Sequence, residues 1–317
     1  MKKKLSTGKK VLIGILTLVL IIGLGVGSYA AYLSSKVTRV EINKSDVIDT
    51  GKEPAKEDKD VMTIALFGTD YEGDEIGASD STMILSIDKK NNKIKLCSLM
   101  RDMYLNLPDG GKRNLNYTMS DGGPSLILKT INYNFNLQID KFVQVDLTKL
   151  PTVIDTLGGV ELNLTNEEVG LVNNYIKHID TKNGTSTQPL STSGKQTING
   201  TQAAAYCRIR YTEGKDYKRT ERQRDVLAAL FNKVKNIGIT EVPGIVSDLL
   251  PLVSTNLSNG EILSIASTVL GMDINNIEQG RFPLDEHHTT EWTDMYHMII
   301  DEEKTTEAIH KFIYSQE

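Results

Sequence analysis

Along this chain of 317 residues the apolar positions change period several times, and each change marks an element. Residues 11–33 (VLIGILTLVLIIGLGVGSYAAYL) carry no charged side chain. Their length matches the roughly 20 residues that span a bilayer as a helix. Residues 34–60 turn polar and charge-mixed, the pattern of a linker. At residue 61 the pattern changes again. Residues 62–67 form a short apolar run ending in Gly68-Thr69-Asp70, which predicts a buried strand delivering a polar turn. A second strand, 82–87, follows Ser79-Asp80-Ser81. Asn91-Asn92 makes a hairpin-like turn, and 93–99 returns as a third strand running into Met100-Arg101-Asp102.

Further along, 110–116 reads as a polar loop and Gly122-Gly123-Pro124 as the opening of a helix, with Pro124 suited to its first position. Residues 141–146 predict a strand, 147–157 a helix closing at Gly158-Gly159, and the alternating 160–164 another strand. The span 181–200, rich in Thr, Ser, Gly and Asn, predicts a long loop or hairpin. Two helical patterns occupy 238–270, with Ser258 or Asn259 as the N-cap of the second. A late strand at 281–284 and a charged C-terminal helix complete the chain. There is no internal repeat and no second domain boundary. The alternation predicts an α/β class: one α-β-α layered domain over residues 61–317, built on a central mixed sheet.

Charge then orients the chain. The net value is -5, and the first ten residues contain Lys2, Lys3, Lys4, Lys9 and Lys10, which leaves the remainder near -10. Lysines on the N-terminal flank predict a cytoplasmic tail at 1–10, an uncleaved single-pass anchor at 11–33, and an extracellular domain beyond. A signal peptide cut after Ala30 is the competing reading, but the apolar run exceeds the usual 7–15 residues. An acidic domain is a poor general nucleic-acid binder, so no nucleic-acid partner is expected. N-x-S/T triplets, such as those at Asn116, Asn163, Asn183, Asn199 and Asn256, carry little weight, since such triplets are common by chance. Cys97 and Cys207 are too few for a disulfide scaffold; pairing stays open if their strands are neighbours, beside two buried thiols.

Against that acidic background, residues 206–230 (YCRIRYTEGKDYKRTERQRDVLAAL) concentrate seven lysines and arginines. Tyr206, Arg208 and Arg210 are two apart, so an extended segment would face all three one way. Thr220-Glu221-Arg222-Gln223 fits a capping box, with Val226, Leu227, Leu230, Phe231 and Val234 as the buried face of the helix behind it. Arg219 and Arg222 would then crowd a helix N-terminus, which cations disfavour unless they hold an anion such as phosphate. The bland alternative is a solvated basic face paired locally with Glu213, Asp216 and Glu221. Asp70 and Asp80, beside strand ends with hydroxyl neighbours, could share a Mg²⁺ or Mn²⁺ ion; taken alone, both read as turn aspartates. His287, His288 and His297 read as a surface loop without metal-ligand spacing.

The stretches LFGTD (66–70), SDSTMILSID (79–88), SLMRDMYLNLP (98–108), NLNYTMSDGGP (114–124), DTLGGVELN (155–163), NGTQAAAYCRIRY (199–211) and RTERQRDVL (219–227), taken in order, resemble the LytR-CpsA-Psr glycopolymer transferases of Gram-positive bacteria. With the N-terminal anchor, the resemblance covers nearly all the chain from Val61 onward. It implies a membrane-anchored domain that takes a glycopolymer from its polyprenyl-pyrophosphate carrier and transfers it, with one phosphate, to a peptidoglycan sugar hydroxyl. It also implies that Asp70 and Asp80 help bind Mg²⁺ or Mn²⁺, and that Arg101, Arg208, Arg210, Arg219 and Gln223 bind the pyrophosphate. The polyprenyl chain would lie in an apolar tunnel between the sheet and its covering helices. Arg113, Asn116 and Arg222 are further candidate substrate contacts, and Asp102 and Asp80 are candidate general bases. Two positions depart from the pattern: Met100 stands where the family commonly has Pro, and Arg113 where it often has Lys. Two alternatives stay open in the sequence: a polyprenyl-pyrophosphate phosphatase, with water as acceptor, and a non-enzymatic wall or regulatory protein that binds anionic polymer.

Overall fold

The computed structural model describes residues 35–48, 51, 59–72, 75–210, 212, 214–235, 241–272 and 277–314. The expected tail and anchor at 1–33 lie outside the described residues, as do residues 34, 49–50 and 52–58 of the expected linker. The strands at Val61–Glu72, Glu75–Asp88 and Lys93–Leu99 form the expected antiparallel meander. It is the middle of a seven-stranded mixed sheet whose order is Thr38–Arg39, Val253–Thr255, Phe142–Asp146, Val61–Glu72, Glu75–Asp88, Lys93–Leu99 and Ile277–Phe282. Phe142–Asp146 lies parallel to Val61–Glu72, and Ile277–Phe282 parallel to Lys93–Leu99.

Alternation along the central strands assigns the two faces. Ala65, Phe67, Ile84, Cys97 and Leu99 pack under the Leu115–Phe135 and Glu302–Tyr314 helices, through Ile127, Ile131, Phe135, Ile309 and Ile313. Ile64, Met83, Leu85, Ile87, Ile94 and Leu96 face the other way, against Leu227 and Phe231 of the Lys215–Lys235 helix and Ile265 and Val269 of the Asn259–Gly271 helix. The result is the expected α-β-α arrangement. Lys95 falls on the first face yet is only 2% exposed; its Nζ donates to Phe312 O at 2.7 Å, capping the C-terminal helix with a cation.

A satellite core holds the candidate arginines in place. It joins the Val160–Leu164/Gly194–Ile198 hairpin to the helices Leu150–Thr156, Asn166–Asn183 and Gly200–Tyr206. The Asn166–Asn183 helix is absent from the sequence reading, although Thr165 and Glu168 form a reciprocal capping box at its start. Other differences have local causes. The polar segment 110–116 is half a hairpin: Lys112–Asn114 pairs with Tyr104–Asn106, and the helix begins at Leu115, seven residues before Gly122. Gly122 and Gly123 kink this helix instead of opening it, Gly123 at φ 65°. Within the expected linker, Val37 and Val47 are buried, Thr38–Arg39 joins the sheet edge, and Asn132 donates to Val47 O at 2.8 Å. The fold therefore begins well before Val61.

Candidate functional site

The sheet delivers the site at one end, where Val61–Glu72 and Lys93–Leu99 finish and Glu75–Asp88 begins. Two consecutive register slips aim its carboxylates. Gly68 pairs with Ser81 and Thr69 with Ser79, which leaves Asp80 as the extra residue of a bulge. The next slip, before Tyr71 pairs with Ile76, sets Asp70 opposite Gly77, whose missing side chain admits the Asp70 carbonyl. Ser79 Oγ holds the bulge, donating to Ser81 O at 3.0 Å.

Around Asp80 lies an alternating cluster of three arginines and three aspartates. Arg101 Nη1 donates to Asp80 Oδ1 at 2.5 Å, with its Nε 3.7 Å from Asp102 and 3.6 Å from Asp216. Arg210 spans Asp80 at 3.7 Å and Asp216 at 3.9 Å. Arg219, only 2% exposed, donates through Nη2 to Asp216 at 3.1 Å and to the Asp80 carbonyl at 3.2 Å. Burial works against the Arg101 charge, yet Asp216, Asp102 and Asp80 outweigh it and raise its pKa. Burial dominates at Arg219, whose pKa is lowered despite Asp216. Burial also pushes the Asp102 carboxyl up, against the pull of Arg101.

Asp70, Asp80, Arg208, Arg210, Arg219 and Gln223 line one cavity of about 350 Å³. Among the described residues no carboxylate lies within 4 Å of Arg208, so its guanidinium is the one the cluster leaves uncommitted. At Leu147, Leu150, Cys207 and Gln223 this polar cavity meets an apolar recess of about 180 Å³ between the sheet and the Lys215–Lys235 helix, walled by Leu66, Met83, Val145 and Val226. A larger cleft, about 760 Å³, lies on the other side of that helix and holds none of the candidate arginines. Cavity size is the weaker guide here, because three arginines and the Asp70 and Asp80 carboxylates converge on the smaller one.

The sequence profile of the LytR_cpsA_psr family matches residues 28–312. The chain belongs to that family. It is similar to the polyisoprenyl-teichoic acid–peptidoglycan teichoic acid transferase TagU of Bacillus subtilis (strain 168), 28% identical over 270 residues and 83% of each chain. TagU of Enterococcus faecalis (strain ATCC 700802 / V583) is also 28% identical, over 83% of this chain and 84% of that one. Among solved structures, TagT bound to LIIa-WTA superposes with a TM-score of 0.67 at 22% identity, covering 87% of this chain and 98% of that one. The LytR-CPS2A-psr family protein YwtF (TagT) with bound octaprenyl pyrophosphate lipid gives 0.62 at 21%, covering 87% and 99%. These likenesses establish the fold. The family match starts upstream of Val61, in keeping with the packed Val37 and Val47.

Within this LytR-CpsA-Psr domain, several sequence expectations need correction. Tyr206, Arg208 and Arg210 are not an extended arm. Gly200–Tyr206 is a helix, capped reciprocally by Asn199 and Gln202, and Cys207 and Arg208 continue it as a turn. Tyr206 consequently faces the large cleft while Arg208 and Arg210 face the site. The capping box at Thr220 does not form either. The helix starts at Lys215, where Gly214 O accepts from Tyr217 N, and the Thr220 hydroxyl donates back to Tyr217 O at 2.9 Å. Arg222 lies outside the cavity: it donates to Glu168 at 3.0 Å and to Ile209 O at 3.4 Å, pinning the arginine turn to the Asn166–Asn183 helix. Arg113 is likewise outside, forked onto Asp121 at 2.7 and 3.0 Å. Asn116 is buried; its backbone N–H donates to Arg101 O at 3.0 Å, which makes it a support for Arg101. Met100 donates its own N–H to Phe282 O at 2.9 Å, a bond the family's usual proline would forgo.

Asp216, read in the sequence as a local ion partner, is the carboxylate shared by Arg101, Arg210 and Arg219. Its only signal was helical spacing, three residues before Arg219. Cys97 and Cys207 are both free and buried, and burial pushes each thiol up to about 12, so neither is a nucleophile. The histidines belong to the His288–Trp292/Tyr296–Ile300 hairpin and its approach, not a loose loop. His297 is buried against Asn114, and His288 bonds the Tyr217 hydroxyl at 2.8 Å.

For a divalent ion the donor set is open. Asp70 and Asp80 present carboxylates to the cavity from adjacent strands, and among the described residues no three His, Cys, Asp or Glu side chains form a closed metal cage. Two carboxylates lining one cavity, Asp80 also facing Arg101, suit a hard cation that keeps waters and accepts phosphate oxygens.

Proposed function

We propose that this chain is a membrane-anchored extracellular transferase that moves a phosphate-linked glycopolymer from a polyprenyl-pyrophosphate carrier to a peptidoglycan sugar hydroxyl. The observation that carries the reading is the junction of two cavities, one lined by Arg208, Arg210 and Arg219, the other apolar. A pyrophosphate head on an isoprenoid tail has this division of charge and grease. The relatives in Bacillus subtilis and Enterococcus faecalis, named as polyisoprenyl-teichoic acid–peptidoglycan teichoic acid transferases, support the acceptor and the polymer class. The uncharged apolar run at 11–33, with lysines crowding its N-terminal flank, supports a single-pass anchor, cytoplasmic at its N-terminus.

In this reading the guanidinium groups do the electrostatic work. Arg208 grips phosphate oxygens from the cavity wall, and Arg210 and Arg219, held in place by Asp80 and Asp216, neutralise charge that builds on the bridging oxygen. The acceptor oxygen bonds to the phosphorus that carries the polymer, the bridging P–O bond breaks, and polyprenyl phosphate leaves. The hydroxyl proton passes to Asp102, whose carboxylate is partly buried and whose pKa is raised; Asp80, bonded to Arg101, is the poorer base. Asp70 and Asp80 would hold Mg²⁺ or Mn²⁺, which when bound adds positive charge at the phosphates.

The test is direct. The full-length protein is incubated with a glycan on polyprenyl pyrophosphate, Mg²⁺ and peptidoglycan fragments, and the products are separated. A covalent glycan–peptidoglycan conjugate is expected, with kcat/KM reduced about 100-fold or more by Arg208→Ala. Release of glycan phosphate without conjugate would leave a phosphatase, and wild-type transfer by the variant would remove Arg208 from the site.

A further inference from the structure

The His288–Trp292/Tyr296–Ile300 hairpin carries an observation that the donor site does not explain. Trp292, the chain's single tryptophan, is 76% exposed. It is held edge-to-face by Tyr296 at 5.4 Å between ring centroids. Among the described residues Leu263 is the one other large apolar side chain so exposed. Together the two rings form an aromatic surface, apolar on its face and polar at the Tyr296 hydroxyl.

The hairpin is locked to the reaction centre. Met298 N–H donates to Asp102 O at 2.9 Å, and Asn114 Nδ2 donates to Tyr296 O at 2.9 Å. The ring of His297 lies 4.2 Å from that of Tyr104. The Tyr296 phenol is near enough to Asp102 and Asp216 that, after burial and Tyr217, their charges raise its pKa. The aromatic surface thus runs outward from the carboxylate assigned as base.

Charge separates the possible occupants. Residues 283–300 contain Asp285, Glu286, Glu291 and Asp294 and no lysine or arginine. The exposed neighbours of Trp292 along its strand are Thr289, Thr290 and Glu291, all polar. Arg281 pairs with Asp285 at 2.6 Å and Arg113 lies near enough to Asp294 to feel its charge, so the surface carries no net positive charge and lacks the cluster of free basic residues that draws an amphipathic patch to anionic lipid headgroups. It offers no more to a polymer of phosphodiesters, whereas the donor side is walled by arginines. An uncharged pyranose, whose axial C–H face stacks on indole and whose hydroxyls bond to threonine and carboxylate, suits it.

We propose that Trp292 and Tyr296 form the platform on which the uncharged acceptor glycan strand stacks, presenting its hydroxyl to Asp102. This rests on the transferase reading for the identity of the acceptor. Because the chain has one tryptophan, its emission reports on the platform alone. The full-length protein in detergent is titrated with an N-acetylglucosamine tetramer, an uncharged probe, and separately with phosphatidylglycerol vesicles. A saturable emission change with the tetramer is expected. In the transfer assay, Trp292→Ala should raise the acceptor KM about tenfold and leave the donor KM within twofold, and Trp292→Phe should recover most of the loss. No saturable change with the tetramer, or a shift with vesicles alone, overturns the proposal, as does an unaltered acceptor KM in Trp292→Ala. Saturable sugar binding without any transfer would uphold the platform and overturn the transferase reading, so the two fail separately.

Discussion

Arg219 is almost closed to solvent, yet it is flanked by the carboxylates of Asp80 and Asp216, and its charge persists because of them. Removing one of those partners should be costly. Asp216→Ala is expected to lower unfolding free energy by about 2 kcal/mol, below the roughly 3–5 kcal/mol for a fully buried pair because Asp80 remains. Urea titration measures it, and an unchanged midpoint would deny the cluster its structural share. Asp102 makes a different prediction. Its carboxyl is raised above the ordinary value of 3.8 by burial, and it accepts a proton only when ionised. Activity should therefore climb as pH rises through the raised pKa, and Asp102→Asn should cost about 100-fold in kcat and erase that acid limb. The stability sign is opposite. The folded state holds this proton more tightly than the unfolded chain, so the wild type loses stability across the same rise and the variant does not.

At the scale of elements, the arginines are placed by helix ends more than by strands. Gly200 starts the helix that ends at Tyr206, and a Cβ there would sit 1.9 Å from Pro151 O. Gly200→Ala must push that helix off its neighbour and carry Arg208 with it; about 3 kcal/mol of stability and most of the activity should go, by thermal melting and transfer assay. Glu261 tests a cap. Burial opposes its ionisation, but Lys141 at 2.6 Å and the Ser258 cap bring its pKa down to about 2. The stability it adds is complete above the ordinary 4.5 and fades as pH falls toward 2. The group is well exposed, so Glu261→Gln should cost only about 0.5 kcal/mol at pH 7, and nothing at pH 2. The Ser258 cap was legible because a capping box is local chemistry. The false box at Thr220 shows the limit of that logic: the same four-residue pattern sits inside a helix once Gly214 starts the chain turning six residues earlier.

At the scale of the molecule, two cavities share a wall, and Leu147 stands at their junction. Leu147→Trp should narrow the passage, raising the donor KM about tenfold for a long polyprenyl chain and little for a short one. Equal effects on both would show that the recess does not take the tail. The central strands, the sheet class and the roster of arginines follow from the sequence alone, because strand alternation and charge density are properties of adjacent residues. Asp70 and Asp80 were legible as strand-end carboxylates for the same reason. What only the folded chain decided was partnership. Asp216 became the shared counter-charge of three arginines, Arg222 turned to Glu168 instead of the cavity, and Tyr206 parted from Arg208. Each depends on where a helix starts and which distant side chain competes for a guanidinium, and those energies are set across more than 50 residues of chain, as from Arg222 back to Glu168.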